Sequence, residues 1–298
     1  MSETKPFENP LIPNKKLREL YLAMIEMRML DEHIAEMQRG VKARRRLDST
    51  WGEEACRVST AMALEPGDLV SDARVGVAME LVAGAKVCSL LQHVAKLSST
   101  AKAGRTVAGE EGVSVGQLPW IEGVGDRLRM AVGAALSFKT LKRANTVVAY
   151  VRKGDVSNAL WRRVLSLASG FELPIIFVVL PDGSGKKKKR DGVPLSALAR
   201  SCGVPGIAVD GSDAVALYRV AQESLGRLRG GGGAVLVECV AYRTKGKGRE
   251  VVADPLLQMR EFLLGRKVCT EAWLNRAGES FDRQIAAATS KIETGQKA

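Results

Sequence analysis

Along the first third of the chain, hydrophobic residues recur every three to four positions, which is the spacing of one buried helical face. This pattern predicts a helix over residues 15–39, which Gly40 ends, and a second over 53–64, which the turn "EPGD" ends. Residues 69–97 are predicted to be helical for most of their length. Residues 98–129 are rich in glycine and charge and have little periodicity, so we expect them to be mostly loop.

The pattern then changes to short runs that are apolar throughout and rich in β-branched residues. Such runs are typical of strands that are buried on both faces, as in a parallel sheet. The predicted strands are 146–150, 173–180, 206–211 and 233–242. The predicted helices around them are 130–143, 157–169, 195–202 and 213–228. Alternating strands and helices predict an α/β fold with a parallel sheet and right-handed crossovers.

The same patterns divide the chain into three segments. Residues 1–14 are polar and interrupted by proline, so we expect an extended arm. Residues 15–265 carry the predicted α/β domain, and residues 266–298 form a helical C-terminal tail. The stretch from residue 255 onward predicts two amphipathic helices. Because no run approaches the roughly 18 apolar residues of a membrane span, and the N-terminus lacks the apolar core of a signal peptide, we expect a cytoplasmic protein without membrane contact.

Composition adds a strong positive charge to this picture. The 298 residues carry a formal net charge of +12, which favours an anionic partner such as an acidic protein, a phosphate ligand or nucleic acid. The run 186–190, "KKKKR", has no aromatic residue near it, which argues against stacking on single-stranded nucleic acid. The five cysteines show no metal-binding spacing and are expected to be buried structural thiols.

Ligands of parallel α/β sheets bind outside the carboxyl ends of the strands. Here those ends fall at residues 150–155, 180–185 and 242–249. On them or directly after them lie the basic residues Arg152, Lys153, Lys186, Lys187, Lys188, Lys189, Arg190, Arg243, Lys245, Lys247 and Arg249. The first end, "YVRKGDVSNALWRR", is built like the strand, turn and helix of a phosphate-binding loop, but its turn has basic residues in place of a metal-binding carboxylate. The sequence therefore predicts a basic site at this edge of the sheet.

Three stretches, "LYLAMIEMRMLDEHIAEM", "GEEACRVSTAMALEPGDLV" and "FELPIIFVVLPDG", follow one another along the chain. Together they resemble the α subunit of the thiamine-diphosphate-dependent 2-oxo acid dehydrogenases, of the pyruvate or branched-chain type. The first resembles the opening helix of that family. The second is similar to its Gly-Gln-Glu-Ala helix and Pro-Gly-Asp turn, and the third to its Leu-Pro-x-x-Phe-Val strand. The resemblance extends from Leu17 to Arg283.

This resemblance implies a three-layer α/β thiamine-diphosphate-binding fold. It also implies an oxidoreductase subunit that pairs with a β-type dehydrogenase subunit in an α2β2 heterotetramer, with a homodimer as the alternative. In that family the α subunit holds the diphosphate of the cofactor through Mg²⁺, and the β-type partner supplies the carboxylate that activates the thiazolium ring. The metal loop of the family is Gly-Asp-Gly, followed further along the chain by Asn-Asn.

Aligning the strands without gaps places residues 152–154 on Gly-Asp-Gly and residues 181–182 on Asn-Asn. Lys153 then replaces the metal-binding aspartate, and Mg²⁺ is not expected because an ammonium group only donates hydrogen bonds. Shifting the loop by two residues restores an aspartate and makes Asp155 and Asp182 the alternative metal ligands. That shift would bury two unpaired charges in the strand, which is costly, so we prefer the unshifted register.

Other family positions also differ. The Tyr-Arg-x-His-Gly-His run, which contributes phosphate contacts and a histidine, falls on residues 72–80, where only the arginine, Arg74, is retained. The family's Gly-His-Ser run falls on residues 246–248, with Lys247 in place of the histidine. The two histidines, His33 and His93, lie outside every motif position. No catalytic residue is therefore expected. The candidate cofactor-binding residues are Arg74, Lys153, Gly154, Asp155, Asp182 and Lys247.

These substitutions leave three hypotheses. The first, which we favour, is a non-catalytic or altered structural subunit of a dehydrogenase-type complex, that is, a pseudoenzyme. The second is an active thiamine-diphosphate-dependent subunit for oxidative decarboxylation of a 2-oxo acid, in which Lys153 replaces the metal and Lys247 and Arg74 contact the diphosphate. The third is a basic module that binds an acidic protein or nucleic acid. The basic run without aromatic residues disfavours nucleic acid.

Overall fold

A computed structural model describes residues 12–39, 47–72, 76–99, 115–181, 193–241, 243–246 and 249–295. Its centre is a six-stranded sheet in the order β2-β1-β3-β4-β6-β5, in which every neighbouring pair is parallel. The strands are β1 (Leu69–Asp72), β2 (Gly116–Gln117), β3 (Val147–Arg152), β4 (Ile175–Leu180), β5 (Gly206–Asp210) and β6 (Val235–Val240). Two further strands, β7 (Arg243–Gly246) and β8 (Arg249–Val252), pair antiparallel as a separate hairpin. The predicted α/β fold with a parallel sheet is confirmed.

Helices precede, separate and follow these strands. They are α1 (Asn14–Met37), α2 (Glu54–Ala61), α3 (Ala78–Val82), α4 (Val87–Ser99), α5 (Val124–Thr140), α6 (Asn158–Gly170), α7 (Leu195–Ser201), α8 (Ala214–Arg229), α9 (Pro255–Gly265), α10 (Glu271–Arg276) and α11 (Glu279–Gly295). A 3-10 turn, Lys153–Asp155, joins β3 to α6. Within the described residues, no helix is long and apolar enough to cross a membrane.

Helices cover both faces of the sheet, which gives the domain three layers. Successive strand residues point to opposite faces, so alternate residues belong to two different cores. Tyr150 and Val178 pack with residues of α1, α2, α8 and α9 on one face. Ala149 and Phe177 pack with residues of α5, α6 and α7 on the other. The central strands β3, β4 and β6 are mostly apolar because both of their faces are buried.

Three local predictions differ from the structure. Residues 69–72 form β1 and not part of a helix, because they pair with β3, from Leu69 opposite Val147 to Asp72 opposite Tyr150, and with β2 on the other side. These partners lie far along the chain, so a local pattern does not reveal them. Helix α5 already begins inside the segment that was expected to be loop. The hairpin of β7 and β8 was not predicted.

The stretch from residue 255 onward contains three helices, α9, α10 and α11, where two were predicted. Gly278, at φ +94°, separates α10 from α11, and the Thr270 side chain caps α10. Helix α11 packs with α1 and α4 in a third apolar core. His33 of α1 contacts this helix, with 3.0 Å between its Nε2 atom and the Thr289 hydroxyl. The boundary between the domain and the tail at residue 265 stays a prediction.

The apolar core between the sheet and helices α5, α6 and α7 gives a direct test of this packing. Trp161 of α6 is fully buried and meets the Phe177 ring edge-to-face, with 6.0 Å between the ring centroids. We expect Trp161→Ala to lower the free energy of unfolding by about 3–5 kcal/mol, because it leaves a large cavity. The control Leu167→Ala changes an exposed residue of the same helix and should stay within about 0.5 kcal/mol. Urea denaturation of both variants checks this. Equal losses would contradict the packing.

Candidate functional site

The first turn of α2 lies against the carboxyl ends of β1 and β3. Glu53, which precedes the first residue of α2, receives a hydrogen bond from Arg152, the last residue of β3, with 2.8 Å between Nη2 and Oε1. One turn further along α2, Arg57 reaches Asp72, the last residue of β1. Side chains from three elements therefore meet at the edge of the sheet where the sequence predicts the site.

These four residues form a continuous row of alternating charges, which we call the charge chain. Arg57 donates from Nε to Oε2 of Glu53 at 3.0 Å and from Nη2 to Oδ1 of Asp72 at 3.3 Å. A further donation from Nη1 to the other Asp72 oxygen makes that contact bidentate. Each Glu53 oxygen therefore has its own guanidinium partner, since Arg152 takes Oε1. Bidentate and charge-assisted contacts of this kind are the strong hydrogen bonds of proteins.

Burial increases towards the middle of the charge chain. The side chains of Arg57 and Glu53 are 0% and 4% exposed, whereas those of Asp72 and Arg152 are 17% and 29% exposed. Burial by itself would lower the pKa of Arg57, but the charges of Asp72 and Glu53 outweigh it and raise that pKa above its ordinary value. Burial raises the pKa of Glu53, and both arginines oppose the rise. Arg57 stays charged.

The ring of Tyr150 packs against the buried Arg57, and a hydroxyl contact holds that ring. The guanidinium of Arg57 lies 5.3 Å from the ring centroid of Tyr150, a cation–π contact. The Tyr150 hydroxyl is 2.7 Å from the Thr60 hydroxyl, one turn further along α2. The contact joins the C-terminal end of α2 to β3.

The neighbouring glutamate, Glu54, belongs to a second ionic cluster. Its Oε1 accepts from Nε of Arg28 in α1 at 2.7 Å, and Nη1 of Arg28 donates to Asp254 at 2.9 Å. Trp51 covers the same guanidinium, with 4.9 Å to the ring centroid. Asp254 also caps α9 through the Leu256 amide. The sequence offered no partner for Glu53 or Glu54. In the structure the two glutamates bind different arginines.

A third acidic group, Glu80 of α3, is buried near the charge chain. Burial raises its pKa to about 7, the charge of Asp72 adds to the rise, and Arg57 opposes it. This carboxyl therefore titrates near neutral pH, the range usual for histidine. It lies at the end of the segment where the family carries a histidine and this chain has none. Sequence patterns gave no sign of it, because its pKa depends on burial.

The structure describes half of the predicted cofactor-binding residues. Lys153, Gly154 and Asp155 form the 3-10 turn directly after β3, and the last two are exposed. The side chain of Lys153 lies outside the described part of the chain, as do all atoms of Arg74, Asp182 and Lys247. Whether these six residues contact a cofactor stays a prediction.

One premise of the register choice was wrong for Arg152. The shifted register is disfavoured on the assumption that Arg152 would be an unpaired charge inside the strand. In the structure it is the last residue of β3, opposite Leu180 of β4, and it is partly buried with Glu53 as its partner. The turn begins at Lys153, so this residue lies outside the paired strand, and the choice between the two registers stays a prediction.

The described oxygen donors at this edge do not form a metal-binding set by themselves. Mg²⁺ needs several oxygen ligands in octahedral geometry. The carboxylates of Glu53 and Asp72 already accept from guanidinium groups, and Asp155 is exposed on the turn. Among the described residues, no group of three or more His, Cys, Asp or Glu side chains is placed to hold a metal ion. These donors do not fit the metal anchor of the family.

Two cysteines lie behind the charge chain. Cys56 of α2 and Cys239 of β6 are both buried, and the Cys56 thiol donates to the Gly211 carbonyl at 3.2 Å. Contact with the Cys239 thiol and burial raise the pKa of Cys56, which makes it a poor nucleophile. The prediction of buried thiols is confirmed for these two, whereas Cys88, Cys202 and Cys269 are partly exposed.

The raised pKa of Glu80 predicts a pH-dependent stability. Between pH 4.5, the ordinary pKa of a glutamate, and a pH of about 7, Glu80 is protonated in the folded protein but ionised in the unfolded chain. Its contribution to the free energy of unfolding is therefore largest below pH 4.5. As the pH rises from 4.5 to about 7, the free energy of unfolding should fall by roughly 3 kcal/mol, and above that range this group should cause no further loss. We expect Glu80→Gln to remove this loss, measured by urea unfolding across the range. The control Glu172→Gln, at an exposed carboxylate, should keep the wild-type slope. An unchanged slope in Glu80→Gln would contradict the prediction.

Curated proteins with related sequences include the alpha subunit of the acetoin:2,6-dichlorophenolindophenol oxidoreductase of Bacillus subtilis, 26% identical over 232 residues, covering 76% of this chain and 70% of that protein. The alpha subunit of the pyruvate dehydrogenase E1 component of Mycoplasma genitalium is 25% identical over 300 residues, covering 94% and 81%. The alpha subunit of the 3-methyl-2-oxobutanoate dehydrogenase of Mycobacterium tuberculosis is 29% identical over 236 residues, covering 78% and 62%. This chain is therefore similar to alpha subunits that act in different complexes.

The sequence profile of the dehydrogenase E1 component family matches residues 21–298, nearly the whole chain. The resemblance seen in the sequence is confirmed at this level. The match includes the helices α2 and α3 and every strand of the parallel sheet. The edge of the sheet that carries the charge chain is thus part of the family's own fold, and the chain belongs to the dehydrogenase E1 component family.

Proposed function

We propose that the chain is an alpha-type subunit of a 2-oxo acid dehydrogenase complex that contributes structure to the complex and not chemistry. The observation that carries this proposal is the position of the turn after β3. Strand pairing continues to Arg152 opposite Leu180, and the turn then begins at Lys153. This geometry supports a lysine at the position of the family's metal-binding aspartate.

A lysine at this position changes the chemistry of the anchor. An ammonium group has three donors and no acceptor, so it cannot be a ligand of Mg²⁺. Thiamine diphosphate, when bound, would supply the stabilised carbanion of 2-oxo acid decarboxylation. We infer that this chain does not hold the cofactor in the family's manner. Asp155 and Asp182 are the residues whose participation would change that inference.

The proposed partner is a β-type dehydrogenase subunit, in an α2β2 heterotetramer. The similar proteins are named as alpha subunits, which supports assembly with a second kind of chain. The net charge of +12 favours a partner with an acidic face.

The absence of turnover is the first test. The full-length chain is co-expressed with the β-type subunit encoded nearest to it, and the release of CO₂ from pyruvate and from branched 2-oxo acids is measured with added thiamine diphosphate. We expect no release above that of the β-type subunit alone, because the α-side anchor is missing. An α subunit of a similar dehydrogenase with its own β subunit is the positive control. Thiamine-diphosphate-dependent turnover would overturn the proposal.

Cofactor binding is the second test. The complex is titrated with thiamine diphosphate in a calorimeter, once with Mg²⁺ and once with EDTA, and we expect no binding heat in either. Heat that EDTA abolishes would show a metal anchor and would assign Asp155 and Asp182 as its ligands. Heat that persists in EDTA would show a direct contact of Lys153 with the diphosphate, and Lys153→Met should then abolish it. Either kind of heat contradicts the proposed loss of the anchor.

A further inference from the structure

We propose that Glu53 and Arg152 form an internal ion pair that neutralises the cofactor-side corner of the sheet and keeps divalent cations out of it. The inference deepens the proposed function and rests on it, because it states what replaced the metal. The pair joins the start of α2 to the end of β3, two elements whose paired residues lie 99 positions apart in the chain. It would thus hold together parts of the site that a bound cation would otherwise bridge.

The position of Arg152 is the first reason for this assignment. Its Nη2 lies 2.8 Å from Oε1 of Glu53, a carboxylate with only 4% of its side chain exposed. A guanidinium that is held in this way occupies space directly before the turn Lys153–Asp155. A cation at the turn would therefore lie next to a fixed positive charge. Burial of Glu53 limits the solvent screening of its contact with Arg152, which strengthens the contact and keeps the guanidinium in place.

The charge balance is the second reason. The charge chain has two guanidinium groups, of Arg152 and Arg57, and two carboxylates, of Glu53 and Asp72, so its formal charge is zero. A cation that bound Glu53 would have to displace one of its two arginines. The displaced arginine would leave a partly buried charge without its partner, which proteins tolerate poorly. Within the charge chain, the two carboxylates thus balance the two guanidinium groups.

The third reason is that two residues that differ from the family's motifs are in contact with each other. Glu53 stands at the glutamine of the Gly-Gln-Glu-Ala motif, where the chain reads "GEEA". In the unshifted register, Arg152 stands at the first glycine of the Gly-Asp-Gly loop. The first change introduces a negative charge and the second a positive one, and the structure brings these two side chains into contact. Their charges compensate each other, so the corner stays folded with both changes present.

A double-mutant cycle on the full-length chain tests the pair. We expect Arg152→Met to lower the melting temperature by roughly 2–4 °C in the unaltered chain. In the Glu53→Gln background the same change should lower it by no more than about 1 °C, because the partner charge is already gone. Arg152→Lys, which keeps the charge, should recover part of the loss in the unaltered chain only.

The control cycle uses an ion pair on the surface. Arg129 and Asp126 of α5 are 57% and 61% exposed and form a contact of the same type. Arg129→Met and Asp126→Asn should each shift the melting temperature by less than about 1 °C, and their effects should add. Additive effects of Arg152→Met and Glu53→Gln, as in this control, would overturn the proposal.

A measurement of cation binding needs no variant, so it tests the inference even if Glu53→Gln does not fold. The melting temperature of the unaltered full-length chain is measured with Mg²⁺ and thiamine diphosphate together, and again with EDTA. We expect equal values. A melting temperature that rises with Mg²⁺ and falls back with EDTA would overturn this inference. If the complex still showed no turnover, the proposed structural role of the subunit would remain. Turnover that needs no divalent cation would end that structural role but would leave the ion pair supported.

Discussion

The fully buried guanidinium of Arg57 is the interaction on which this edge of the domain depends. A lone charge at this depth would be strongly destabilising, so Arg57 requires both carboxylates beside it, Glu53 and Asp72. Those carboxylates belong to the start of α2 and the end of β1. The ring of Tyr150 supplies a third contact from β3. Helix α2 can therefore dock on the sheet only in the orientation that satisfies this one side chain.

Two neighbouring glutamates make α2 the meeting point of the domain. Glu53 turns towards the sheet, where Arg57 and Arg152 bind it, whereas Glu54 turns towards α1 and binds Arg28. Arg28 in turn holds Asp254 at the start of α9. The helices that open and follow the α/β core are thus tied to the helix that faces the proposed cofactor side. A change at α2 would be felt in the sheet and in the outer helices together.

The fold and the site of this chain lead to different expectations. Membership of the E1 component family and the parallel sheet describe the scaffold, and a scaffold can keep its shape while its chemistry changes. For that reason the proposed function rests on Lys153 and the turn after β3, not on the family alone. The charge chain stabilises the fold and balances its charge with groups of the chain itself.

Local pattern was sufficient for much of the fold. The apolar runs at 146–150, 173–180 and 233–242 became β3, β4 and β6, because a strand buried on both faces carries mostly apolar residues. The four residues of β1 were missed, since their strand pairing depends on segments far along the chain.

The sequence by itself determined the parallel α/β scaffold, the family and the lysine in the turn after β3. Only the tertiary structure decided the partners of Glu53 and Glu54, and the raised pKa of Glu80. The physical reason is range. Helical and strand periods act between near neighbours, whereas ion pairs and burial depend on how the chain crosses over, and that brings Glu53 to Arg152 from 99 residues away.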